Sequence, residues 1–335
     1  MRVLGIESSC DECSAAIVEN GNTILSNVVA TQIELHRPFL GVVPEIASRI
    51  HVEWIGEVVN EALSKANLTV NDIDAVAVTN RPGLLGSLLV GVNFAKAFAA
   101  TLDIPIVAVD HIRAHLNASQ IEHPLQYPYL GLLVSGGHTI ICIVHSYDDI
   151  EVLGTTIDDA IGEAYDKIAK HYNFGYPGGV AIDKLAQKGD SKAFLFPGTK
   201  LKDPYNVSYS GLKSAVINQL DQFWDGKSEK SPENISASFQ RVAVGILVKR
   251  VKKAIKEVGI RRLGVGGGVA ANSLLRAELN KLENVEVAFP SMSLCADNGA
   301  MIAAIAYHYL NDNKVDNLDF ITTARVEGFK RSNLK

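Results

Sequence analysis

The chain has 335 residues, room for two domains of ordinary size. It is 47% hydrophobic and 21% charged, the balance of a globular protein, and its formal net charge of -5 excludes a uniformly basic nucleic-acid binder while leaving a local basic patch open. No apolar run reaches the roughly 18 residues of a membrane span, and Cys10, Cys13, Cys142 and Cys295 do not make a disulfide framework in a chain of this size.

The opening MRVLGIE leads into a strand with no signal-peptide pattern, so the expected setting is a reducing cytoplasm without membrane contact. VLGIE and AAIVE read as strands around the polar turn SSCDECS. Asn20-Gly21 is a hairpin signal, and TILSNVV follows as a third strand. Helical spacing runs through residues 45 to 65. DIDAVAVTN is a buried strand, and RPGLLGS turns into an apolar helix from about Leu88 to Ala100. IPIVAVD is the next buried strand and delivers His111 at its end. YLGLLVS, the turn GGHT and IICIVHS repeat the strand-turn-strand opening, and a helix is expected from about Asp158 to Tyr172. Residues 173 to 214 are rich in Gly, Pro and Ser and read as loop. Ser231-Pro232 starts a long helix, with Ser as N-cap and Pro in the first turn. RRLGV enters the glycine turn GGGVAAN, and a last helix is expected from about Asp297 to Tyr309. Hairpins opening both halves suggest a duplicated α/β unit and argue against one large doubly wound sheet.

HIRAHLNAS places His111 and His115 four apart, on one face of a helix. Zinc proteases of the H-E-x-x-H type share this spacing, but Ile112 stands where their glutamate base would be. Two readings stay open: ordinary helix histidines, or two ligands of a metal that needs at least one more. A site just past a buried strand is where open α/β sheets place ligands. Asp297 is the candidate third ligand, and it is equally suited to cap the helix that it opens. SGGHT, the Pro-Gly-Gly at 177 to 179 and the glycines at 266 to 268 lie at element ends, where backbone N–H groups can cradle phosphate or simply make tight turns. No Walker pattern is present, and GGGVAA fits a dinucleotide fingerprint only loosely. Asp11, Glu12, Asp158, Asp159, Asp166 and Asp183 are the acids near these turns. Cys10 and Cys13 form C-x-x-C in a hairpin turn, away from any redox helix start. The basic run KRVKKAIKEVGIRR, Lys249 to Arg262, reads as the solvated face of an amphipathic helix, with contact to RNA phosphates as the alternative.

GIESSCDE, GVVPEIASRIH, PGLLGSLLVG, VDHIRAHL, LLVSGGHT, IDDAIGEAYDKIAK, YPGG, SYSGLK, SASFQ, GGGVAAN and CADNGAMIA, in order across residues 1 to 309, resemble the bacterial TsaD family of tRNA threonylcarbamoyladenosine transferases. The resemblance implies an α/β fold of the actin-like ATPase and sugar-kinase (ASKHA) class, with two duplicated RNase H-like domains around a central cleft. The expected division is 1 to 115 for the N-terminal domain, with a helix of about 297 to 325 packing back on it, and 116 to 296 for the C-terminal domain. The implied reaction moves the threonylcarbamoyl group from threonylcarbamoyl-AMP to N6 of adenosine 37, in tRNAs reading codons that begin with adenine. His111, His115 and Asp297 would hold one divalent metal, iron(II) first, with zinc or magnesium as alternatives. Leu133, Val134, Ser135, Gly136, Gly137, Asp166, Gly179, Asp183 and Asn272 would contact the substrate, and Glu12 is the candidate acceptor for the amine proton. A TsaB-like paralogue and a TsaE-like ATPase are the implied partners. Cys13 replaces the threonine of many members, and Arg81 replaces a usual glycine. Rival functions are a metalloprotease, against which Ile112 counts, and a small-molecule kinase of the same fold, which has no need of the histidine pair. A non-catalytic TsaB-like scaffold lacks that pair.

Overall fold

A computed structural model describes residues 1–326 and 328–332. The chain forms two compact units: Met1–Pro124 with Pro290–Gly328, and Leu125–Phe289 with the segment from Phe329.

In the first unit β1 (Arg2–Glu7), β2 (Glu12–Glu19) and β3 (Thr23–Thr31) form an antiparallel meander. Asn20 and Gly21 take positive φ (54° and 77°), the twist that the expected hairpin turn needs. After α1 (Ile33–His36) and α2 (Pro44–Lys65), β4 (Ala75–Arg81) pairs parallel to β1. Then α3 (Leu85–Leu102) leads to β5 (Ile106–Asp110), parallel to β4, and β5 runs into α4 (His111–Glu122). The unit boundary lies after α4, whose unbroken helix keeps residues 111 to 122 together. Ile55, Val58, Val59, Ala62 and Leu63 recur at helical spacing on α2 and pack with Leu4, Ile6, Ile17, Val76 and Val78 of the sheet. Each such fully buried aliphatic side chain stabilises by about 1.5–3 kcal/mol.

Against the sequence expectation, α3 is 18 residues long and apolar enough by length and composition to cross a membrane. Asn93 and Lys96 interrupt the apolar run without lowering its average enough to fail that test. Its Ser87, Leu88, Gly91, Val92, Ala95 and Ala99 are buried, and it packs on β4 and α2.

In the second unit β6 (Tyr129–Val134), β7 (Thr139–Val144) and β8 (Ile150–Thr155) repeat the antiparallel meander. Helices α5 (Ile161–Tyr172), α6 (Gly178–Ala186), α7 (Ser210–Asn218) and α8 (Pro232–Val258) follow. Ser231 caps α8 by accepting from the Asn234 N–H, and Gly259 ends it at φ 78°. Next come β9 (Arg262–Gly266), parallel to β6, α9 (Ser273–Asn280) and β10 (Glu286–Ala288). The chain then returns to the first unit with α10 (Met292–Cys295) and α11 (Gly299–Asn311). A short β11 (Lys330–Arg331) edges the second sheet beside β8. The sheets run β3-β2-β1-β4-β5 and β10-β9-β6-β7-β8-β11. Apart from β11, the second order is the first with each strand replaced by its counterpart, so the duplication read from the two hairpins is present in the topology.

Three further expectations change. The stretch expected as loop at 173 to 214 contains α6 and the first turn of α7, because Pro177 and the two glycines after it begin a helix here. The last helix starts at Gly299, because Asn298 takes the N-cap by accepting from Met301 N–H at 3.1 Å. It ends at Asn311, short of 325. The following segment lies along β5, with Asp316 Oδ2 accepting from Ala108 N–H at 2.8 Å.

Candidate metal centre

The metal-ligand candidates all lie in the first unit. Asp110 ends β5 and caps α4 by accepting from the N–H groups of Ile112 (2.9 Å) and Arg113 (3.2 Å). Arg81, the departure from the usual glycine, places its Nε 3.4 Å from the Asp110 carboxylate. The cap fixes where the helix begins, and one turn separates His111 from His115, so both rings project from one face. Their centroids are 4.5 Å apart with planes at 88°. Gly5 of β1 lets the start of α11 sit directly on the sheet, and Ser14 Oγ accepts from Gly299 N–H at 2.8 Å. Asp297, two residues ahead, is thereby brought to the rings. Its Oδ1 lies 2.9 Å from His115 Nε2 and 3.5 Å from His111 Nε2. Asn298, not Asp297, caps the helix.

One donor atom from each of His111, His115 and Asp297 falls within 4.8 Å of the others. The residues fit a cation by their chemistry. Two imidazole nitrogens and one carboxylate oxygen form the set that suits iron(II), with zinc also compatible, whereas magnesium favours oxygen alone. His115 Nδ1 is buried without a partner, so its Nε2 is the nitrogen the site uses. His111 turns Nδ1 to the buried Glu7 (2.9 Å) and Nε2 to Asp297. Burial alone would lower the His111 pKa; Asp297 and Glu7 on either side override it and hold it up at about 10.

Glu12 begins β2, half-buried, with its carboxylate 3.4 Å from Thr31 Oγ1. Burial, then Asp11 and Asp297, hold its carboxyl well above the usual range. Cys10 lies in the same turn; burial and these acids keep its thiol protonated, and its carbonyl accepts from His51 Nε2 at 2.9 Å. The two cysteines of C-x-x-C are both free.

The expected substrate contacts all lie in the second unit. Leu133 and Val134 are the buried end of β6, and Ser135, Gly136 and Gly137 make the turn into β7. Added Cβ atoms on Gly136, Gly137 or Gly179 would meet nothing within 4 Å, so this backbone borders open space. Gly162 of α5 packs on the Ser135 carbonyl, and Gly267 (φ 91°) packs on that of Val134. Asp166 accepts from Gly178 N–H at 2.8 Å, tying α5 to the start of α6. Asp183 and Asn272 meet directly at 3.3 Å, with Gln240 and Ser273 bonded to both or to one of them. Asp158 and Asp159 are staples: Asp158 accepts from Tyr209 N–H (2.8 Å), and Asp159 pairs with Lys167 (2.6 Å) and Lys213.

Sequence reasoning missed Glu7, Ser9, Thr79, Gln240 and Ser273. Glu7 did carry a signal, a charge closing an otherwise buried strand. Gln240 carried a weaker one, a polar residue beside Phe239 on the buried face of α8.

Comparison with known proteins identifies the family. The TsaD family profile, tRNA N6-adenosine threonylcarbamoyltransferase, matches residues 23–304. A protein of that name from Treponema denticola is 57% identical over 334 residues, 99% of each chain. The one from Treponema pallidum is 52% identical over 313 residues, 92% of this chain and 89% of the relative. Among solved structures, full-length HypF with phosphate and nucleotide aligns at TM-score 0.62 and 15% identity, over 93% of this chain and 47% of its own. Component A of (R)-2-hydroxyglutaryl-CoA dehydratase from Acidaminococcus fermentans aligns at 0.56 and 16%, over 93% and 99%. These structures support the actin-like ATPase fold alone. On the profile match and the near-full-length relatives, the chain belongs to the tRNA N6-adenosine threonylcarbamoyltransferase family.

Proposed function

We propose that this chain makes threonylcarbamoyladenosine at position 37 of tRNA by metal-assisted acyl transfer, with His111, His115 and Asp297 as the ligands. Membership of the family carries the transferase activity on tRNA. The observation that carries the metal-assisted mechanism is the convergence of the three donor groups on one point.

The donor, threonylcarbamoyl-AMP, is a mixed anhydride with a strongly activated carbonyl, while an exocyclic adenine amine is a poor nucleophile. N6 attacks the carbamoyl carbon, a C–N bond forms, the C–O bond to phosphate breaks, and AMP leaves. His111, His115 and Asp297 would hold a divalent cation, iron(II) on ligand chemistry, which would supply Lewis-acid charge beside the activated carbonyl. Much of the acceleration is positioning. Leu133, Val134 and the Ser135–Gly137 turn border the donor with their backbone. Asp166 and Gly179 shape the next stretch, and Asp183 with Asn272 offers polar groups to the nucleotide. Glu12, in the turn region that also holds Asp11, is the acceptor for the amine proton in this reading. No glutamate is needed beside His111, because the histidine pair anchors substrate and does not activate water. The reading includes a TsaB-like paralogue and a TsaE-like ATPase as partners, and a cytoplasmic setting where tRNA is found. The net charge of -5 supports tRNA binding shared with other proteins.

The test is reconstitution with unmodified tRNA and threonylcarbamoyl-AMP, followed by nucleoside mass analysis and metal quantification. Wild type should form the modified adenosine, and His111→Ala should lose both metal and product. Product formed at the normal rate by metal-free His111→Ala would overturn the mechanism.

A further inference from the structure

Glu7 is fully buried, and a carboxylate out of water is expensive unless it is well bonded. Three donors converge on it. Its Oε1 accepts from Ser9 N–H at 2.6 Å, and its Oε2 accepts from Thr79 Oγ1–H at 2.6 Å and from His111 Nδ1–H at 2.9 Å. β1, the turn after it, β4 and α4 each supply one participant, so the carboxylate is fixed in orientation by the core. The bonds to Ser9 and Thr79 would hold Glu7 in place without the histidine. The third bond acts outward: it keeps the His111 proton on Nδ1, which leaves Nε2 toward Asp297 and beside His115 Nε2.

We infer that Glu7 is the positioning residue of the metal centre, holding His111 in the tautomer and ring orientation that present Nε2 to a divalent cation. This rests on the metal reading above. An imidazole ligand whose other nitrogen donates to a carboxylate is both oriented and made more basic.

Glu7→Gln separates the roles because it keeps the shape. The amide offers one acceptor and one N–H₂ where three donors meet. Turned toward Ser9, the N–H₂ opposes the Ser9 N–H. Turned toward His111, it asks Nδ1 to accept, which moves the proton to Nε2 and blocks ligation. Either orientation weakens metal binding.

The experiment is calorimetric titration of the metal-free full chain with zinc(II), comparing wild type, Glu7→Gln, Thr79→Val and His115→Ala. Glu7→Gln should bind zinc about 10- to 100-fold more weakly. Thr79→Val, which frees one side of the carboxylate, should show a smaller loss, and His115→Ala should abolish the site. Ring-nitrogen NMR of the zinc-loaded protein adds a readout that packing loss would not give: His111 keeps its proton on Nδ1 in wild type, and that Nδ1–H signal is depleted in Glu7→Gln. Zinc affinity of Glu7→Gln within twofold of wild type, while His115→Ala has lost it, would overturn the inference. If Glu7→Gln does not fold, unchanged affinity in Thr79→Val does the same. Equal binding by wild type and His115→Ala, or none by wild type, would instead bring down the metal reading itself.

Discussion

Replacing Gly5 with alanine tests how the first unit brings Asp297 to the histidines. A Cβ at Gly5 would stand 2.2 Å from the Gly299 carbonyl oxygen, 2.5 Å from Ala303 N and 2.8 Å from Ala303 Cβ. All three atoms belong to α11, and two are backbone, so no side chain can swing aside. Ordinary contacts are about 3.5 Å or longer, so α11 must back away from β1 by about 1 Å. Overpacking of this kind costs about 1–3 kcal/mol. At roughly 2–4 °C per kcal/mol for a large domain, the melting temperature should fall by several degrees. Asp297 precedes the helix by two residues and moves with it. A misplacement of about 1 Å can cost on the order of 100-fold in rate. The assays are calorimetric melting of the metal-free chain and initial rates of modified-adenosine formation. Gly5→Ala should lose rate far beyond what its remaining folded fraction explains. A variant that melts and turns over like wild type would refute the claim that the β1–α11 contact sets the site.

Asp110→Ala removes the α4 cap and should cost about 1 kcal/mol in urea unfolding, with weaker metal binding because the helix carrying both histidines frays at its first turn. Burial would raise the Asp159 pKa, but Lys167 and Lys213 outweigh it and hold the carboxyl below its usual value. Its contribution to stability is therefore complete above the unfolded carboxylate pKa of about 3.9 and is lost as pH falls through the lower folded value. Asp159→Asn should accordingly melt lower than wild type at pH 7, with the gap closing in acid; a constant gap would contradict this. Ile112→Glu recreates the protease spacing and should gain no proteolytic activity if, as proposed, the pair anchors substrate; cleavage of a glycoprotein by this variant would contradict that role.

Much of the fold was legible because short-range chemistry writes it. Asn20-Gly21 specified its hairpin, the apolar spacing of α2 specified its buried face, and the two strand-turn-strand openings reappear as sheets of matching order. The histidine pair was legible because helical periodicity alone places His111 over His115. What was hidden depends on contacts distant in sequence. Glu7 lies 104 residues from the imidazole that it holds. Asp297 and Asn298 are both capping residues, and only the packing of α11 on β1 decides that Asn298 caps while Asp297 turns to the histidines. Pro177 and its glycines read as loop because the same residues that end one helix can open another, and α6 is held by its packing on α5 and α8. The strap along β5 follows from no local pattern.

X-ray absorption on the protein loaded with one equivalent of zinc(II) examines the ligand set itself. The account predicts two imidazole nitrogens at about 2.0–2.1 Å with oxygen completing the shell, and one imidazole fewer in His115→Ala. A sulfur scatterer at about 2.3 Å, which would implicate Cys10, or a shell without imidazole, would contradict it.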